Sequence, residues 1–186
     1  ILEGEHERVI YDPYAFRSPR LTDFDLHLFA EGNHHRIYEK LGAHATEING
    51  VKGVYFAVWA PNARNASVIG DFNYWDGRKH QMRKGATGVW EIFIPELKVG
   101  DRYKYEIKNN EGHIYEKSDP YGFQQEPRPK TASIVTDLDA YQWNDLEWME
   151  KRRHTDPLTQ PISVYEVHVG SWLHASSAEP PKLPNG

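Results

Sequence analysis

The sequence predicts an all-β fold centred on a β-sandwich, and three observations carry that reading. Between residues 51 and 137, short runs rich in Val, Ile, Tyr, Phe and Trp are separated by Asn, Asp, Gly and Pro, which is the spacing of strands and turns. Residues 109–112, Asn-Asn-Glu-Gly, are a hairpin turn by composition, because Asn and Gly accept positive φ at low cost. Aromatic residues make up 13% of the chain, with six Trp and eleven Tyr. Rings with polar tips suit pleated cores, and they also suit platforms on which a sugar stacks.

Taken in order, residues 1–20 read as the end of a truncated preceding module: a short strand over 1–11, then a breaker at Asp12-Pro13. Residues 21–46 form a connector with short helices. Its apolar positions Phe24, Leu28, Phe29, Ile37, Tyr38 and Leu41 are loosely spaced, Gly32-Asn33 interrupts them, and Gly42 closes the segment. Residues 47–137 are the sandwich, with strands expected at 54–59, 66–70, 89–94, 103–108, 113–116 and 131–135. A linker over 138–161 follows, charged and able to carry a helical turn or two at 143–153. Residues 162–169, Ile-Ser-Val-Tyr-Glu-Val-His-Val, resume as a strand, and 175–186, with three prolines, should be disordered. A strand with no partner behind it implies a missing domain.

Composition excludes several functions. A net charge of -5 lacks the basic stripe that phosphate backbones demand, so nucleic acid is not expected as a partner. The absence of cysteine rules out disulfides and thiolate zinc, and it fits a cytoplasmic location. No run approaches the ~18 apolar residues of a membrane span, and the first residues have no export pattern, so no membrane partner is expected. Asn65-Ala66-Ser67 has the glycosylation spacing but reads as ordinary loop sequence. The adjacent pair His34-His35 points apart, and Glu166 and His168 share a strand face without further ligands, so no metal site is expected.

The sharpest local signal is Gly70-Asp71-Phe72-Asn73-Tyr74-Trp75, a strand end running into a loop before Asp76-Gly77. An exposed Trp75 beside the amide of Asn73 would offer a sugar an apolar face and partners for its hydroxyls; a core Trp75 with Asn73 making a turn fits the spacing equally well. With Phe56-Ala57-Val58-Trp59-Ala60-Pro61-Asn62-Ala63 before it, and Tyr103-Lys104-Tyr105-Glu106-Ile107 and Lys117-Ser118-Asp119-Pro120-Tyr121 after it, this region resembles the family 48 carbohydrate-binding modules. The resemblance implies an immunoglobulin-like sandwich with Trp75 as stacking residue, Asn73 nearby, and Lys104 and Tyr115 as further glucan contacts. It also allows the module to be chiefly a brace for a catalytic barrel.

A second string, Val164-Tyr165-Glu166-Val167-His168-Val169-Gly170-Ser171-Trp172, is similar to the first barrel strand of glycogen branching enzymes. Asp12-Pro13-Tyr14-Ala15-Phe16 and the stretch 32–44 agree with the bacterial form of that family. The resemblance implies a truncated (β/α)8 barrel start after the sandwich, with Tyr165, Glu166 and His168 as supports near the substrate face. It implies a parent that cleaves α-1,4 linkages and transfers the chain to a 6-hydroxyl, without cofactor or metal. Partners would be α-1,4-glucans (glycogen, amylose, malto-oligosaccharides) and the missing barrel of the same polypeptide. The family's Arg-x-Asp and Asp-x-x-x-Asn-His motifs are absent here, so no catalytic residue is expected in this chain. A stand-alone glycogen-binding module, and the amino-terminal part of a debranching or trehalose-forming enzyme, are the alternatives.

Overall fold

The computed structural model describes residues 2, 3, 6, 7, 10–16, 20–85 and 87–172. It divides into two units, 1–140 and 141–186.

The first unit is a two-sheet antiparallel sandwich. In chain order it holds β1 (Leu2–Glu3), β2 (His6–Glu7), a 3-10 turn at Pro13–Ala15, helix α1 (Asp23–Ala30), a 3-10 turn at Ile37–Glu39, then β3 (Gly42–Ile48), β4 (Val51–Trp59), β5 (Asn65–Gly70), a 3-10 turn at Asp71–Asn73, β6 (Arg83–Lys84), β7 (Val89–Pro95), β8 (Arg102–Lys108), β9 (Ile114–Lys117), β10 (Gln124–Gln125) and β11 (Ser133–Ile134). One sheet runs β3-β4-β7-β6. The other runs β10-β11-β8-β5, with β9 also paired to β8.

Alternation builds the core between the sheets. Val54, Phe56 and Val58 of β4 and Trp90, Ile92 and Ile94 of β7 meet Ala66 and Val68 of β5 and Tyr103 and Tyr105 of β8. Yet β4 does not alternate: residues 53–58 are all buried. The reason is a second cluster on its other face, where Tyr55 and Ala57 join Phe93, Leu21 and Leu41, with Phe16, Leu26, Phe29 and Ile37 packed against them. A strand covered on both faces reads as a continuous apolar run.

That cluster corrects the expected boundaries. Residues 13–16, assigned from the sequence to a preceding module, pack on the sheet: the Phe16 and Phe93 rings lie 4.9 Å apart, and the Gln81 amide donates to Tyr14 Oη at 2.9 Å. The sandwich begins at Gly42 rather than residue 47, since β3 pairs with β4 from Gly42↔Ala57 to Ile48↔Val51. The connector is held by one carboxylate. Thr22 caps α1 with a reciprocal bond to Asp25, while His34 Nε2 and Lys40 Nζ lie 2.9 and 3.1 Å from the Asp25 oxygens. Burial opposes ionisation of Asp25, but these hydrogen bonds win and hold its carboxyl well below the usual range. Of the apolar positions read in the connector, Phe24 faces solvent. Asn65-Ala66-Ser67 is not a loop: it opens β5, with Ser67 fully buried.

Deep in the sandwich, the Asp119 carboxylate accepts from Tyr103 Oη at 2.6 Å and Tyr105 Oη at 3.2 Å. Its backbone N–H donates to Ser133 Oγ at 2.9 Å. Burial raises the Asp119 carboxyl above its ordinary value despite those donors. The segment Ser118-Asp119-Pro120 thus ties β11 to β8.

The second unit contains α2 (Leu146–His154), a 3-10 turn at Pro157–Thr159 and the four-residue α3 (Val169–Trp172). The expected strand over 162–169 is not formed: residues 162–168 make no ladder, and Val169 begins α3. An extended strand leaves its N–H and C=O groups unpaired unless a neighbour accepts them, and none does among the described residues. The expected disordered tail at 175–186 lies outside the described residues.

Core packing makes a direct prediction. Phe56→Ala empties a fully buried site and should cost about 3–5 kcal/mol in urea unfolding, whereas Phe24→Ala, at a position 67% exposed, should change stability by less than about 0.5 kcal/mol. Equal losses would show that the sandwich core is not where the structure puts it.

Candidate functional site

The Trp75 loop is built from the end of β5. Gly70 is required there for space: a Cβ would lie 2.3 Å from the Arg102 carbonyl oxygen and 2.4 Å from the Phe72 ring. Beyond the 3-10 turn, Tyr74 and Trp75 both take left-handed backbone, with φ of 59° and 60°. Each such residue costs on the order of 1–3 kcal/mol and persists only where its surroundings over-determine it.

Asn73 supplies that constraint. Buried at 1% exposure, its Oδ1 accepts from Gly70 N at 2.9 Å, and its Nδ2 donates to Val68 O at 2.9 Å. Those two partners fix which end of the amide is which. Nδ2 therefore also donates to His80 Nδ1, 2.9 Å away, so His80 is neutral with its Nδ1 unprotonated. Burial lowers the His80 pKa below its usual 6.5, in agreement. The loop closes with Trp75 N donating to Gly70 O at 2.9 Å.

Trp75 is half-buried, and its Nε1 donates to Asp71 Oδ1 at 3.1 Å. Asp71 is held in turn by Arg102 Nε at 2.7 Å, and Arg102 bonds Glu126 at 3.0 Å. Lys104 Nζ sits 5.7 Å from the Trp75 ring centre and 3.2 Å from Glu116 Oε2. An open hollow of about 250 Å³ lies alongside, with Trp75, Lys104, Glu116, Glu126 and Lys130 in its walls. The arrangement offers an indole surface for an apolar sugar face, ringed by charged donors and acceptors suited to hydroxyls.

Two of the four glucan contacts expected from the sequence, Trp75 and Lys104, come together. The other two do not. Asn73 spends its amide on the loop, with three bonds inside the protein. Tyr115 is on the other face of the sheet: it pairs with Ile107, whereas Glu116 pairs with Glu106 on the Lys104 side. The reason is register. A four-residue turn at 109–112 would pair Lys108 with His113 and put Tyr115 opposite Glu106. The observed pair is Lys108↔Ile114, because Asn109 Oδ1 accepts from His113 N at 2.8 Å and draws that residue into the turn. A slip of one residue turns every side chain over. The same register brings Glu116 to the Lys104 side, and Glu126 and Lys130 come to the hollow from the segment after β10, which no local motif marks.

Tyr165, Glu166 and His168, expected as supports on a barrel strand, lie on the irregular segment of the second unit and are exposed. The Tyr165 ring meets Trp172 edge-on at 5.6 Å. Of the two histidines dismissed as ligands, His34 is engaged by Asp25.

The buried histidines predict a pH dependence. Burial lowers both His80 and His44 below 6.5, so the unfolded chain binds more protons just below that value. Their contribution to stability is complete above 6.5 and is lost as pH falls through the folded values. Asp25, held low, contributes above its ordinary 3.8 and acts in a separate, more acid range. The urea midpoint of the wild type relative to His80→Gln should therefore fall between about pH 7 and pH 5.5. A difference independent of pH would show that His80 is not held neutral.

Comparison with known proteins follows this geometry. Residues 40–122 match the family "Carbohydrate-binding module 48 (Isoamylase N-terminal domain)". The chain is 84% identical over 99% of its length to the 1,4-alpha-glucan branching enzyme GlgB of Nostoc sp. strain PCC 7120. It is 80% identical over 100% of its length to that of Trichodesmium erythraeum and 72% identical over 100% to that of Synechocystis sp. strain PCC 6803. It spans about a quarter, 24%, of each of these relatives. Among the described residues, no helix is long and apolar enough to cross a membrane. The chain thus carries the carbohydrate-binding module 48 pattern on an immunoglobulin-like sandwich, and over its whole length it is similar to a quarter-length stretch of the 1,4-alpha-glucan branching enzymes.

Proposed function

We propose that this chain is the glucan-binding, non-catalytic part of a 1,4-α-glucan branching enzyme. The observation that carries its own role is the presentation of Trp75: a strained loop, a buried amide and a carboxylate all hold one indole beside a charged hollow. One sugar face of an α-1,4-glucan would stack on that indole, with Lys104, Glu116 and Glu126 as hydroxyl partners. The same unit braces the catalytic barrel, and the cytoplasm is the compartment that goes with this reading.

The reaction of the whole protein, on this reading, is a retaining transfer. One carboxylate attacks the anomeric carbon of an α-1,4-linked residue, a carboxylic acid protonates the departing 4-oxygen, and a glycosyl-enzyme forms. The 6-hydroxyl of another glucan then takes the glycosyl group, giving its proton to the carboxylate that first acted as acid. One glycosidic bond is broken and one is formed, so no external energy source, cofactor or metal enters. We assign neither carboxylate to this chain.

Titration with maltoheptaose, followed by tryptophan fluorescence, tests the binding role. Trp75→Ala should weaken binding roughly tenfold, the equivalent of a lost stacking contact, while Tyr115→Ala, on the other sheet face, should leave it unchanged. A folded wild type that does not bind would leave only the bracing role. The isolated chain should form no α-1,6 linkages in amylose, and their appearance would overturn its non-catalytic assignment.

A further inference from the structure

His80 lines no part of the Trp75 hollow, yet its ring closes the loop that carries Trp75. Its Nδ1 accepts from Asn73 Nδ2 at 2.9 Å, and its ring lies 5.6 Å from that of Phe72 in the same turn. The backbone around the ring is fixed. His80 O accepts from Val68 N at 3.0 Å, Lys79 N donates to Asp76 O at 3.2 Å, and Gln81 N donates to Tyr14 Oη at 2.9 Å.

Protonation of His80 sets two donors face to face. The neutral ring offers Nδ1 as an acceptor, whereas the imidazolium carries a proton on both nitrogens. Asn73 cannot answer by turning over. Reversal would put its NH2 against the Gly70 N–H and its oxygen against the Val68 carbonyl oxygen, both of which it now bonds at 2.9 Å. The conflict is therefore relieved by movement of the ring or of the turn, and displacement of Asn73 releases the strained left-handed backbone at Tyr74 and Trp75. The ionisable groups on the surrounding elements are already engaged or of like sign. Asp71 of the turn is held by Trp75 Nε1 and Arg102, and Asp76 is paired with Arg78. Tyr14 Oη is taken by the Gln81 amide, and Arg83 donates to Tyr14 O. Lys79, next to the ring, adds a like charge.

We propose that His80 is a positioning residue for Trp75: neutral, it locks the Asn73 turn and presents the indole, and protonated, it unlocks both. The response of the loop follows from its hydrogen-bonding geometry; the effect on glucan binding rests on the reading of Trp75 as a stacking platform given above. Burial, and then the charge of Lys79, hold the ring's pKa below 6.5. The lock is therefore complete above pH 6.5 and fails as pH falls through the lower, folded value. Apparent affinity falls in proportion to the fraction of loop that is unlocked.

The test is NMR of the full 186-residue chain between about pH 7.5 and pH 5, following the indole Nε1–H resonance of Trp75 and the Cε1–H resonance of His80. The two should titrate with one midpoint in the wild type. His80→Gln, whose side-chain oxygen accepts from Asn73 but takes up no proton, should hold the Trp75 resonance still. Lys79→Gln, at an exposed position, should move the common midpoint upward. Maltoheptaose affinity, read by tryptophan fluorescence, should fall roughly threefold or more from about pH 7 to pH 5 in the wild type and stay constant in His80→Gln. A Trp75 resonance that stays still while His80 titrates would overturn the proposal, and so would a Trp75 titration that persists in His80→Gln, the signature of Asp71. Separate midpoints in Lys79→Gln would overturn it whether or not His80→Gln folds. If Trp75 and His80 titrate together but maltoheptaose binds at no pH, the positioning role of His80 stands and the glucan reading fails.

Discussion

Strand β4 lies inside the protein on both of its faces, paired to β3 over residues 51–57 on one side and to β7 over residues 53–59 on the other. Phe56 and its neighbours close the space between the sheets, while Tyr55 and Ala57 pack with Phe16, Leu21, Leu26, Phe29, Ile37 and Leu41. Burying a large apolar side chain contributes about 1.5–3 kcal/mol, and here consecutive residues do so in opposite directions. The connector is therefore a third layer rather than a tether. Tyr55 links the layers in polar terms as well: its hydroxyl accepts from the connector's Arg20 N at 3.4 Å and donates to Glu91 of the neighbouring strand at 2.6 Å. Burial raises its pKa above the ordinary tyrosine value, which keeps that donor protonated.

The Trp75 loop borrows its rigidity from this body. Trp75 does not sit at the end of a flexible hairpin; its backbone is forced into a left-handed conformation that Asn73, Gly70 and His80 hold in place. The strain is affordable because β5 is locked to β8 over six residue pairs. A preorganised indole loses little freedom when a sugar stacks on it. The charges around it form one chain of contacts, from Asp71 through Arg102 to Glu126, with Lys104 and Glu116 beside them. Each pair keeps at least one partner well exposed, so each adds little to stability.

The fate of Tyr115 shows how a small local choice decides a site. Its position in the hairpin and its ring chemistry fit a second stacking residue. A single hydrogen-bonding side chain, that of Asn109, adds one residue to the turn and moves the ring to the far face of the sheet. The strand written into residues 162–169 fails for a different reason, since no neighbouring strand satisfies its backbone among the described residues. Both cases turn on partners that lie far away, or one residue away, in the pairing pattern.

Strand content, the turn at 109–112, the sandwich and the family resemblance were legible in the sequence, because strand propensity, breakers and motif strings are local and repeat the physics of single residues. That Trp75 and Lys104 lie together was legible for the same reason: one follows a strand end, the other sits mid-strand in a matching motif. Tertiary structure alone decided which face each residue occupies, that Asn73 is spent on holding the loop, and that Phe16, Leu21, Leu26, Phe29, Ile37 and Leu41 cover β4. Those outcomes depend on register and on contacts between segments far apart in the chain, such as Phe16 and Phe93, 77 positions apart. No local property of the chain encodes pairings at that separation, so only the packed molecule could settle them.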